Sequence, residues 1–104
     1  MAWVVWTRQA LDDLDAICLF ISRDSFYYAR LFAQRVFAAT DRLKIFPMSG
    51  RAVPELEQES IREIILDGYR IIYRMSQETV AILAVHHGAR EIDESLTNWL
   101  SFNR

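Results

Sequence analysis

The chain of 104 residues has room for one domain with a modest core, and its 52% apolar and 25% charged residues are those of an ordinary globular protein. A formal charge of −2 excludes the broad positive field on which a general nucleic-acid binder relies. The single cysteine, Cys18, excludes an internal disulfide or a cysteine metal cluster, and no run nears the roughly 18 apolar residues of a membrane span. The expected location is the cytoplasm, with no membrane partner and no cofactor.

Residues 2–6, AWVVW, are β-branched and aromatic and predict a strand. Thr7 is placed to cap a helix whose Ala10, Leu11, Leu14, Ile17, Cys18 and Ile21 share one face. Asp12 and Asp13 near its front are expected to favour the helix dipole. Cys18 sits in the apolar pattern and reads as filler rather than as a reactive thiol.

Arg23, Asp24 and Ser25 break the pattern, and either Asp24 or Ser25 can cap a second helix over residues 26–45. Its apolar seam is Ala29, Phe32, Val36, Ala39, Leu43 and Phe46. So short a turn predicts an antiparallel helix hairpin, one face of which must find a sheet. Pro47 ends the second helix, and the 52–56 segment contains Pro54, so it is loop or sheet edge. Glu55, Glu57 and Glu59 form an acidic patch, either a solvated face or an offset to nearby arginines.

Asp67-Gly68 between two apolar runs predicts a tight hairpin turn with positive φ at both residues. That turn pairs Leu66 with Tyr69, Ile64 with Ile71 and Arg62 with Tyr73, which with Met75 make one face. The other face takes the pairs Ile65 with Arg70, Glu63 with Ile72, and Ile61 with Arg74. Arg70 and Arg74 then flank Glu63 diagonally, and an Arg-Glu-Arg network is expected there. Residues 79–87 form a third, central strand that ends in His86, His87 and, beyond Gly88, Arg90. Adjacent histidines on a strand point to opposite faces and do not share a metal, so no metal site is expected. Ile92, Leu96, Trp99 and Leu100 keep helical spacing in a short C-terminal segment, which would cover Ile61, Ile65 and Ile72 or leave them to a partner.

The predicted fold is therefore α+β: an N-terminal strand, an antiparallel helix hairpin on an antiparallel sheet whose last three strands form a meander, and a short C-terminal helical segment. On these elements lie FPMSGR (46–51), GYRIIYR (68–74) and VHHGAR (85–90). In that order and placement they resemble the RelE/ParE superfamily of bacterial type II toxins, along essentially the whole chain. The resemblance implies a single toxin domain over residues 1–104 and a cognate antitoxin as partner.

RelE-type members cut messenger RNA on the ribosome, with lysines on the first meander strand, arginines on the second and after the third, and a Tyr or His acid. Arg70 and Arg90 match the family's arginines, and His86 or His87 would stand in as acid or base. Where lysines belong, however, this chain has Ile61, Arg62 and Glu63, and the family's C-terminal tyrosine is absent from IDESLTNW (92–99). The departures favour a ParE-like toxin, implying DNA gyrase as target and no intrinsic catalysis. The alternatives are a ribosome-dependent endoribonuclease and an inactive homologue retained for antitoxin binding or co-regulation. Arg51, Arg62, Ile65, Arg70, Ile72, Arg74, Arg90, Leu96 and Trp99 are the candidate partner contacts, with Ile65, Ile72, Leu96 and Trp99 as an apolar groove for a folding segment.

Overall fold

The computed structural model describes residues 1–88 and, of the remainder, Asn98. The chain runs β1 (Trp3–Trp6), α1 (Arg8–Ser22), α2 (Phe26–Asp41), a 3-10 turn (Arg42–Lys44), β2 (Arg51–Ala52), β3 (Ile61–Leu66), β4 (Tyr69–Ser76) and β5 (Thr79–His87). The expected C-terminal helical segment, with Arg90, Leu96 and Trp99, lies outside the described residues, apart from Asn98.

Both helices begin as the sequence predicts. The Thr7 hydroxyl accepts the Ala10 N–H and itself donates to the Ile82 carbonyl, so one side chain caps α1 and ties it to β5. Ser25, rather than Asp24, caps α2 by accepting the Tyr28 N–H. Arg8 is the first residue of α1, so Asp12 and Asp13 fall beyond its first turn, and the expected dipole role does not apply. Asp12 pairs with Arg8, while Asp13 accepts the Val85 N–H on the part of β5 that β1 does not reach.

The sheet has five strands in the order β1-β5-β4-β3-β2. It is mixed rather than wholly antiparallel, because the helix hairpin between β1 and the sheet returns the chain so that β1 lies parallel to β5. The β3–β4 register is the one that the Asp67-Gly68 turn demands, with φ of 50° and 83° at the two residues. Arg35 of α2 holds Asp67 at 3.0 Å and fixes the turn to the helix layer. A bulge in β5 shifts the pairing from Ile82 opposite Tyr73 to Ala84 opposite Ile72, which places Leu83 and Ala84 in the same cluster.

Two apolar clusters sandwich the sheet. On the helix side Ala10, Leu14, Phe32, Val36 and Leu43 pack on Ile71, Tyr73, Val80, Ile82 and Val85. On the far side Val53 and Leu56, from the segment between β2 and β3, cover Ile61, Ile72, Ala81, Leu83 and Ala84. Leu11 and Phe46, expected in the helix seam, are exposed: Leu11 lies on the outer flank of α1, and Phe46 follows the 3-10 turn that ends the seam at Leu43. Cys18 is half-buried against the Ala29 carbonyl, and burial pushes its thiol above the usual range. No helix among the described residues is long and apolar enough to cross a membrane.

Candidate functional site

Of the polar residues singled out in the sequence, Arg51, Glu55 and Arg70 converge on the far face, around Glu63. Its carboxylate is 1% exposed and bridges two guanidinium groups: Arg70 Nε donates to one oxygen and Arg51 Nε to the other, each at 2.6 Å. Arg70 also donates through both terminal nitrogens to the two oxygens of Glu55, at 2.8 Å each. The result is a chain Arg51-Glu63-Arg70-Glu55 that runs from the exposed β2 edge, through the buried face, to the covering segment.

That network corrects the expected one. Both Glu63 oxygens are taken by Arg51 and Arg70, so Arg74 is not the second cation on Glu63. Register explains the exchange, because Arg51 lies directly opposite Glu63 in the β2–β3 pair, while Arg74 is diagonal to it on β4, opposite Ile61. Glu55, expected only as part of an acidic patch, is the bidentate partner that a buried arginine requires. Its hydrogen bonds raise the Arg70 pKa above the ordinary guanidinium value, with Glu63 adding to the effect against the opposing cost of burial.

The far face is also less open than the sequence implies. Arg70 is 5% exposed, held between Glu55 and Glu63, and Ile72 is fully buried in a cluster with Val53 and Leu56. Ile72 is therefore part of a core and not an exposed groove residue. Ile65 is 52% exposed, next to the hairpin turn and beyond the short β2–β3 pairing. Arg62 half-buries its side chain and donates to the Gly50 carbonyl at 2.9 Å. His86 is half-buried on the far face opposite Arg70, while His87 turns to the other face and sets its ring edge against Tyr69 at 5.2 Å.

The β2 edge is buttressed by an arrangement that the sequence reading missed. The Tyr73 hydroxyl donates to the Pro47 carbonyl at 2.8 Å and accepts the Gly50 N–H at 3.0 Å. A Cβ on Gly50 would stand 2.6 Å from both the Glu63 carbonyl oxygen and the Tyr73 hydroxyl, so glycine is required there for close approach. The available signal was a tyrosine on an inward-facing strand position, whose hydroxyl must find a partner once buried. Burial raises its pKa and keeps it protonated as a donor.

Beside this buttress an open groove of about 420 Å³ runs between the end of α2 and the β3 edge, lined by Ala39, Arg42, Phe46, Arg51, Ile64 and Ile65 among others. Exposed Phe46 and Ile65 give it apolar walls, and Arg42 and Arg51 give it a cationic rim. Chemically this suits an amphipathic segment carrying acidic residues. Arg70, by contrast, is held on the far face by two carboxylates.

The comparisons agree with this architecture. A family model described as the ParE toxin of the type II toxin–antitoxin system parDE matches residues 4–92. The chain is 37% identical over 91 residues to Toxin RelE2 of Caulobacter vibrioides, spanning 86% of this chain and 99% of that protein. The fold is shared with a structure of the chromosomal ParDE system from P. aeruginosa, with a TM-score of 0.69 and 23% identity over 84% of this chain and 96% of that one. This chain belongs to the ParE family, within the RelE/ParE superfamily of type II toxin–antitoxin toxins.

Proposed function

We propose that this toxin acts by binding rather than by catalysis, as a ParE-type inhibitor of DNA gyrase held inactive by a cognate antitoxin. The observation that carries the reading is the state of Arg70, the arginine that a RelE-type nuclease would use on the scissile phosphate. It is buried, with Glu55 and Glu63 satisfying its guanidinium. Bringing phosphate there would break two ion pairs and set its charge beside two carboxylates. Of Ile61, Arg62 and Glu63, at the positions where nuclease relatives carry lysines, Ile61 and Glu63 are buried and supply no cation, and Arg62 donates to the Gly50 carbonyl. His86 and His87 lie on opposite faces, so they do not form an acid–base pair around one bond.

For the antitoxin, the groove beside Arg51, Arg42 and Ile65 supports the reading best. Its cationic rim and apolar walls suit a segment that folds on binding, with acidic side chains toward Arg51.

The test pairs two assays on purified toxin. The expected result is loss of gyrase supercoiling with accumulation of gyrase-dependent cleaved DNA, and no cuts in translated messages by primer extension. Codon-proximal cuts that disappear in Arg70→Ala would replace this reading with the nuclease. Induced expression without growth arrest, together with tight antitoxin binding, would point to an inactive homologue.

A further inference from the structure

The two edges of the sheet are finished differently. At the β2 edge, Arg51 and the Gly50–Tyr73 buttress interrupt the ladder, and Arg51 places a charge on the rim. At the other edge β1 presents Trp-Val-Val-Trp, with no charge, proline or bulge of its own. Such an edge is a template for another strand.

The ladder shows which backbone groups are on offer. Trp3 N–H donates to Glu78 and Thr7 N–H to Ile82, so odd-numbered residues of β1 turn toward β5. The even-numbered Val4 and Trp6 therefore turn their N–H and C=O groups away from the sheet. Ala2, next in that alternation, donates to the Lys44 carbonyl outside the sheet, which confirms the direction. On the far face Trp3 is 73% and Val5 50% exposed, next to this edge.

We infer that the β1 edge pairs with the β1 edge of a second copy, antiparallel about a two-fold axis through Val5. Self-pairing places Val4 opposite Trp6 of the partner and Trp6 opposite Val4 by one symmetry operation, which satisfies all four outward groups of each strand. The faces match, because Val5 meets Val5 with Trp3 diagonal to it on the far side. On the helix side an open groove of about 440 Å³, lined by Val4, Trp6, Phe37 and Asp41 among others, receives the partner's Val4 and Trp6 side chains.

Charge does not oppose the approach of the two ends. The axis brings the start of α1 in one copy toward the 3-10 turn of the other. The first carries the Arg8–Asp12 pair and the second the Asp41–Lys44 pair, so each end is balanced within its own chain and no net like charge meets across the interface. The ladder ends there, since Ala2 is already bonded to Lys44 and Arg8 is helical. A contact of this length belongs with transient interfaces, so dissociation in the micromolar range is expected.

The test uses the whole chain in analytical ultracentrifugation from micromolar to near-millimolar concentration. Wild type should pass from one chain to two. Val5→Lys and Val5→Glu should each weaken association about tenfold or more, because like charges then meet on the axis. An equal mixture of the two variants should restore it, since a residue on the axis faces itself; circular dichroism checks that both variants fold. A wild type that stays monomeric, a Val5→Lys dimer as tight as wild type, or a mixture that fails to recover would each overturn the inference. So would a monomeric wild type whose antitoxin affinity falls in Val5→Lys, because the edge would then belong to an antitoxin strand.

Discussion

The two faces of this sheet are covered by different means. The helix face is closed by two capped helices whose apolar seams bury Ile71, Tyr73 and Ile82, and hydrophobic transfer drives that packing. On the far face, among the described residues, a short segment contributes Val53 and Leu56 as buried apolar cover, and beside them runs the chain of four charges from Arg51 to Glu55. A buried ion network adds little net stability, since desolvation offsets most of its attraction, but it fails sharply if one member is removed. The difference teaches that the helix face tolerates change by degrees, while the far face depends on charge balance.

The largest effect is expected at Glu63. Glu63→Ala leaves Arg70 buried with Glu55 alone and should cost about 3–5 kcal/mol, measured by urea denaturation. The paired change Glu63→Leu with Arg70→Met removes both buried charges and should return stability to within about 1 kcal/mol of wild type. If the pair proved as damaging as the single change, the far face would require its ions for shape rather than for balance.

Next is Tyr73, which belongs to the helix-side cluster but fastens the loop leading to β2. Tyr73→Phe keeps the ring in the core and removes two hydrogen bonds, leaving the Gly50 N–H unsatisfied, for a cost of about 1–3 kcal/mol. Because that loop leads to the far face, Arg51 should lose order with it, visible as faster amide exchange at Arg51 and Ala52. A purely local loss, with exchange unchanged there, would show that the two faces are independent.

The smallest effect concerns Asp13, which accepts the Val85 N–H where β1 stops short. Burial raises its pKa above the ordinary 3.8, against the opposing hydrogen bond from Val85. The folded state therefore holds the proton more tightly than the unfolded chain, so this group adds stability as pH falls through the window just above 3.8 and loses it as pH rises through the folded pKa. Asp13→Asn keeps an oxygen for Val85 and should flatten that dependence, with a change at pH 7 below about 1 kcal/mol because the site is half-exposed. Thermal melts across mildly acidic pH would show it.

Local rules were strong where one residue type answers one geometric demand. Thr7 and Ser25 as caps, and Asp67-Gly68 as a turn with positive φ, were legible because few residues satisfy those sites. The turn then fixed the entire β3–β4 register and put Arg70 beside Glu63 on the face away from the helices. The Arg70–Glu63 half of the network was legible for that reason, and its other half was not. Choosing Arg51 over Arg74 required the β2–β3 pairing, and a two-residue strand next to a proline-containing segment leaves little pattern to read.

By itself the sequence determined the helix hairpin, the meander and the faces on which its side chains lie, since period and turn chemistry act over a few residues. The tertiary structure decided that β1 joins parallel to β5, that Val53 and Leu56 bury Ile72, and that Glu55 closes over Arg70. These outcomes turn on segments meeting across the sheet, where burial and charge pairing between distant residues outweigh any local preference.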